Sequence, residues 1–141
     1  MASASPDDQA PPDSSPVVLS APPGRAVAGA RDRAAVVVFA VLLAAHLAAL
    51  YWPRVDVQGP VTWTDKVVHV LLFLAPTVAG LLADLRPAYV VGLLALHAPV
   101  SELVQHYLLP NRSGDPWDAV ADLSGVVLGV TSVVVGRALR R

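Results

Sequence analysis

The sequence predicts an all-α protein: a four-helix transmembrane bundle behind a disordered N-terminal tail. Three observations lead there. Apolar residues make up 55% of the 141 residues and charged residues only 15%, against roughly 25% charged in a soluble domain; mean hydropathy is +0.56. The apolar residues gather into four runs near the ~20-residue length that crosses a bilayer at 1.5 Å per residue. The polar residues collect at the ends of those runs. A chain of this length predicts one domain. It has no cysteine, which excludes disulfides, iron–sulfur clusters and thiolate chemistry. It has no basic patch, so nucleic acid is not an expected partner.

Residues 1–30 carry six of the thirteen prolines together with Ser, Ala and Asp. Such a segment buries too little apolar surface to offset its ordering entropy, and it is expected to be a disordered cytoplasmic tail. The membrane domain is expected over 31–141. Its first span, 34–51, follows Arg31 and Arg33 and ends before Trp52-Pro53. The long preceding tail and the lack of a small-x-small cleavage site favour an uncleaved helix over a signal peptide. His46 lies in its outer half and is expected to be a packed neutral side chain. A short polar loop with Pro53, Gly59 and Pro60 leads to the second span, 65–83. Thr62 or Thr64 suits its N-cap, and Asp65 suits its first turn, where the helix dipole favours negative charge. Pro76 lies inside it and should kink it, which packed neighbours tolerate in a membrane.

The turn at 84–87 is too short to cross anything, so the third span, 88–109, must run antiparallel to the second. Residues 111–118 are expected as a loop, with Pro116 and Trp117 suited to starting the fourth span, 117–136. Basic residues in the short flanks set the orientation. With the N-terminus inside, Arg25, Arg31, Arg33, Arg86, Arg137, Arg140 and Arg141 lie inside, against Arg54, Lys66 and Arg112 outside. Both termini are therefore expected in the cytoplasm of an inner-membrane protein, and the polar stretch 101–122 at the outer side.

That stretch, SELVQHYLLPNRSGDPWDAVAD, concentrates the chain's polar chemistry. Asp65 and His69 are spaced i, i+4; Glu102, Gln105 and His106 i, i+3, i+4; Asp115, Asp118 and Asp122 at three and four, so each set shares one helix face. At 1.5 Å per residue, Glu102 is expected about 10 Å below the outer rim, and His69 and Asp122 each roughly 6 Å below their helix starts. Ionisable residues at such depth need mutual partners or a function. Ala121, Gly125 and Gly129 repeat small residues every four, GVVLG being a GxxxG, which permits close helix approach. Four readings follow: a structural hydrogen-bond network, general acid/base chemistry on a lipid-borne substrate, a divalent metal held by His69, Glu102, His106, Asp118 and Asp122, or proton relay. No compact ligand motif such as HExxH is present, so no metal ligand and no cofactor is assigned. Four short helices without an internal repeat give little support to a transporter.

Three blocks, DKVVHVLLF at 65–73, ELVQHYLLPNRSGDPWD at 102–118 and D-x-x-x-D-x-x-G-x-x-x-G at 118–129, together resemble the VanZ-like family of bacterial membrane proteins. The family pattern falls on Asp65, Lys66, His69, Glu102, Gln105, Arg112, Asp115, Asp118, Gly125 and Gly129. Asp122 stands where the family commonly has Asn, and Val70 where an aromatic is frequent; His106 is outside the pattern. The resemblance implies a cell-envelope protein, from a family named for a link to low-level teicoplanin resistance. The expectation is an outward site that binds or acts on a lipid-linked envelope component. Asp65, His69, Glu102 and Asp118 are the candidate catalytic acids or bases, and Lys66, Gln105, Arg112, Asp115 and Asp122 the candidate substrate-binding groups. Lys66 and Arg112 would meet phosphate or carboxylate, Arg112 through a bidentate fork. The competing expectation is a non-enzymatic membrane partner or assembly factor in which the network is structural.

Overall fold

The computed structural model describes residues 23–52, 62–110 and 114–141. Four helices account for most of them: α1 (Pro23–Tyr51), α2 (Thr62–Leu82), α3 (Pro87–Leu108) and α4 (Pro116–Ala138), with no strand among the described residues. Each contains a stretch long and apolar enough to cross a membrane, Asp32–Tyr51, Trp63–Leu82, Pro87–Leu108 and Pro116–Ala138. The chain is a multi-pass membrane protein with a lipid bilayer as its surroundings. Val37, Val41, Leu71, Leu93, Leu96 and Val127 point outward; such a surface is unfavourable in water and ordinary against lipid tails.

The most extensive packing joins α2 to α4, two helices that are not neighbours in sequence. Their contact is as close as it is because α4 presents glycine there. A methyl group added to Gly125 would fall on the Val70 carbonyl oxygen and lie 3.1 Å from Leu74 N and from Phe73 Cβ. One added to Gly129 would lie 2.8 Å from Thr77 Cβ. The expected small-residue seam is thus the axis of the bundle. Around it Phe73, Leu94, Ala98, Val126 and Val133 form the apolar core, with α1 set mainly against α2 and α3 against both α2 and α4.

Local chemistry fixes most helix ends. Proline occupies the first turn of both α3 and α4, where its missing N–H leaves no hydrogen bond unmade and its φ is already helical. Asp115 caps α4 by accepting from Trp117 N–H at 2.9 Å. The α2–α3 turn puts Asp84 at φ +52°, a left-handed conformation that Asp adopts more readily than most residues. Arg137, at the end of α4, donates to Leu81 O and to Asp84 Oδ1, so it gives a shorter bond to a carbonyl near the end of α2 that otherwise accepts only the 3.4 Å bond from Asp84 N–H.

Several expectations are corrected. α1 begins at Pro23 rather than near 34, so 23–30 is not part of a disordered tail: Pro at the first position and an Ala-rich run favour helix. Residues 1–22 lie outside the described residues. α2 begins at Thr62, which places Thr64 inside the helix instead of at its cap. α4 begins at Pro116, so Asp118 is a first-turn helical residue rather than loop. Pro76 does lie within α2, and the helix continues through it.

Candidate functional site

The N-terminal end of α2, the C-terminal end of α3 and the N-terminal end of α4 lie together, and the polar residues of all three converge there. Lys66, on α2, donates to Asp115 Oδ2 and to Asp118 Oδ1, each at 2.5 Å. It lies at the mouth, with its side chain 27% exposed. One turn deeper, the His69 Nδ1 position is 2.9 Å from Asp122 Oδ1, and Nε2 is 3.9 Å from Asp118 Oδ2. α3 contributes Glu102, whose Oε2 accepts the backbone N–H of Asp115 at 2.9 Å. That bond ties α3 to the start of α4. His69, Glu102 and Asp122, from three helices, each bring a side-chain atom within 4.8 Å of the others.

Burial divides the cluster. His69, Glu102 and Asp118 are each 6% exposed and Asp122 is fully buried, whereas Asp65 is exposed at the rim. Among the described residues, Glu102 Oε1 and Asp122 Oδ2 are buried carboxylate oxygens with no hydrogen-bond partner. Asp115, outside the spans, has its pKa held below the usual carboxylate range by the Lys66 hydrogen bond and then by Trp117 N–H. Its favourable interactions are therefore present above that range and are lost as the pH falls through and below it.

Most of the expected site residues meet. Asp65, Lys66, His69, Glu102, Asp115, Asp118 and Asp122 share this end of the bundle. Gln105 is buried, but its Nε2 donates to Leu50 O at 3.2 Å, so it ties α3 to the end of α1. Arg112 lies outside the described residues. His106 is exposed, stacked edge-on against Tyr107. Two groups place one potential ligand atom from each residue within 4.8 Å of the others: Asp65, His69 and Asp118, and His69, Glu102 and Asp122.

A second polar chain, running from buried His46 to the half-buried His97 and Tyr51, lies deeper in the bundle, and sequence reasoning missed it. His46 is not a lone packed histidine. Its Nδ1 is 2.9 Å from Leu72 O, its Nε2 is 3.1 Å from His97 Nδ1, and His97 Nε2 is 2.7 Å from Tyr51 Oη. Leu72 O is the carbonyl whose helical partner would be the N–H of residue 76, and Pro76 has none. Because a carbonyl only accepts, His46 carries its proton on Nδ1. With both rings neutral, His97 Nδ1–H then donates to His46 Nε2, and Tyr51 O–H donates to His97 Nε2. The signal in the sequence was Pro76 itself: a proline inside a membrane helix frees a carbonyl that something must satisfy. His46→Phe is expected to cost about 1–3 kcal/mol by leaving that carbonyl unpaired. The cost should be smaller in a Pro76→Ala background, where a restored N–H takes the bond. Thermal unfolding of the four proteins in detergent measures the coupling, and equal costs in both backgrounds would refute it.

Compared with models of protein families, with curated proteins and with solved structures, the chain matches none.

Proposed function

We propose that this chain is a VanZ-like protein of the bacterial inner membrane, with both termini cytoplasmic, whose outward polar site binds or acts on a lipid-linked cell-envelope component and through it affects susceptibility to teicoplanin-type glycopeptides. The supporting observation is convergence. Nine of the ten positions that carry the resemblance are described, and they fall on this end of the α2–α3–α4 bundle or on the glycine seam below it. In this reading His69 and the carboxylates of Glu102 and Asp118 supply acid or base groups, and Asp65 stands at the entrance. Lys66 is already held by two carboxylates, so an anionic headgroup would have to displace one of them. Arg112 is the other cationic candidate.

The competing reading, a membrane partner or assembly factor with a structural network, is favoured by the same Lys66 contacts, because they tie α2 to α4 and to the segment before it. Complementation of a deletion strain separates the two. Lipid and cell-wall profiling of that strain is expected to show an accumulated or depleted lipid-linked species. Glu102→Ala and Arg112→Ala, if they insert and accumulate normally, are expected to fail to restore the profile. Full restoration by both would defeat the site reading, and loss of accumulation in both would favour the structural one. A reporter fused after Arg141 is expected to score cytoplasmic; an extracytoplasmic score overturns the orientation.

A further inference from the structure

We infer that His69, Glu102 and Asp122 form a divalent-cation site, one ligand each from α2, α3 and α4. Their ligand atoms already lie within 4.8 Å of one another, and all three side chains are buried. A cluster of acids alone would not argue for an ion, since carboxylates often gather around water or lysine. The independent observation is that, among the described residues, Glu102 Oε1 and Asp122 Oδ2 are both buried without a hydrogen-bond partner, in residues 6% and 0% exposed. Leaving such oxygens unpaired is costly. A cation held by both carboxylates would give each a partner that protein groups among the described residues do not.

Charge points the same way. Five carboxylates, Asp65, Glu102, Asp115, Asp118 and Asp122, are gathered at this end. Among the described residues there, the one fixed cation is Lys66, and it is engaged by Asp115 and Asp118. The deeper pair, Glu102 and Asp122, has no lysine or arginine contact among the described residues. His69 is their neighbour, and an imidazole is a metal ligand when neutral.

One nitrogen and two carboxylate oxygens suit zinc or manganese better than calcium or magnesium, which favour all-oxygen shells. Metal–ligand bonds of about 2.0–2.2 Å require the three groups to close by roughly an ångström, within the reach of side-chain rotation. The absence of a compact motif in the sequence is no obstacle, because the set is assembled by three helices.

The test uses the full-length chain without a polyhistidine tag, purified in detergent, stripped with chelator and titrated separately with Zn²⁺ and Mn²⁺. Elemental analysis after gel filtration is expected to find one ion per chain. Glu102→Gln and Asp122→Asn should each weaken binding by ten-fold or more, at least the loss that outer-shell changes produce at metal sites, and His97→Phe should leave it unchanged. No retained ion, or equal binding by the Glu102 and Asp122 variants, overturns the proposal; the orphan oxygens would then be served by protons or water. Should those variants not fold, zinc-edge X-ray absorption of the unaltered protein decides. One imidazole among oxygen ligands is expected, whereas two would put the ion at His46 and His97 and overturn the assignment. Binding is measured with no lipid substrate present, so its failure and that of the lipid-ligand reading are separable.

Discussion

Replacing Lys66 by Met is expected to lower stability by about 2–3 kcal/mol, and a second substitution, Asp118→Asn, to restore part of the loss. Lys66 is the shared partner of Asp115 and Asp118. Removing one member of a fully buried ion pair costs about 3–5 kcal/mol, because the other is left as an uncompensated charge. Exposed pairs are worth at most about 1 kcal/mol. The Lys66 pairs lie between these limits: the lysine is 27% exposed and Asp115 40%, but Asp118 only 9%. Without the lysine, Asp118 keeps only the distant His69 Nε2 at 3.9 Å as an ion-pair partner among the described residues. The double variant removes the stranded charge along with its partner. Unfolding of the single and double variants in detergent should give a coupling of at least about 1 kcal/mol for groups in direct contact; strictly additive losses would mean that the pair contributes nothing. If the site binds an anionic headgroup, the double variant should also regain stability without regaining complementation.

Gly125→Ala is expected to be the most damaging alanine substitution among the α4 glycines, at about 1–3 kcal/mol for overpacking a close interface. The added carbon meets backbone, the Val70 carbonyl and Leu74 N, which cannot rotate away. At Gly129 the nearest atoms belong to the Thr77 side chain, with Leu74 O at 3.2 Å. Thr77 is itself fixed by donating to Phe73 O, so Gly129→Ala should rank second among the α4 glycines. Gly92 and Gly136 meet nothing within 4 Å, and alanine there should be neutral or slightly stabilising through its better helix propensity. A thermal-stability ranking of the four variants checks the order, and a destabilised Gly92→Ala alongside a tolerated Gly125→Ala would reject the seam.

Much of this architecture was legible because the membrane imposes simple rules. Four apolar runs gave four helices, and helical rise put His69 and Asp122 at roughly 6 Å and Glu102 at about 10 Å from the same rim before any contact was known. The glycines that set the α2–α4 approach could be picked out as a repeat of small residues. Contacts that depend on the third dimension were not legible. Gln105 shares a helical face with Glu102, yet it reaches α1, because spacing on one helix says nothing about which neighbour a side chain meets. His46 and His97 are 51 residues apart, and no local pattern links them. The early start of α1 was missed because prolines and charged residues in the tail outweighed the helix-forming run Ala26–Ala35 in the composition of the whole segment.

The Lys66 contacts also impose an order in time. The lysine's partners lie 49 and 52 residues downstream, beyond an entire intervening membrane helix. At synthesis rates of about 5–20 residues per second, Lys66 is made roughly 2–10 s before the carboxylates it will hold. During that interval α2 has to reside in or beside the insertion machinery with its charge unmatched. Lys66 sits only a few residues inside the helix, where a long side chain can reach back to the headgroups. Asp122, which is completely enclosed, is made after His69 is already in place. Among the charged groups of the site, the exposed Asp65 and the half-exposed Lys66 are thus made first and the fully buried Asp122 last.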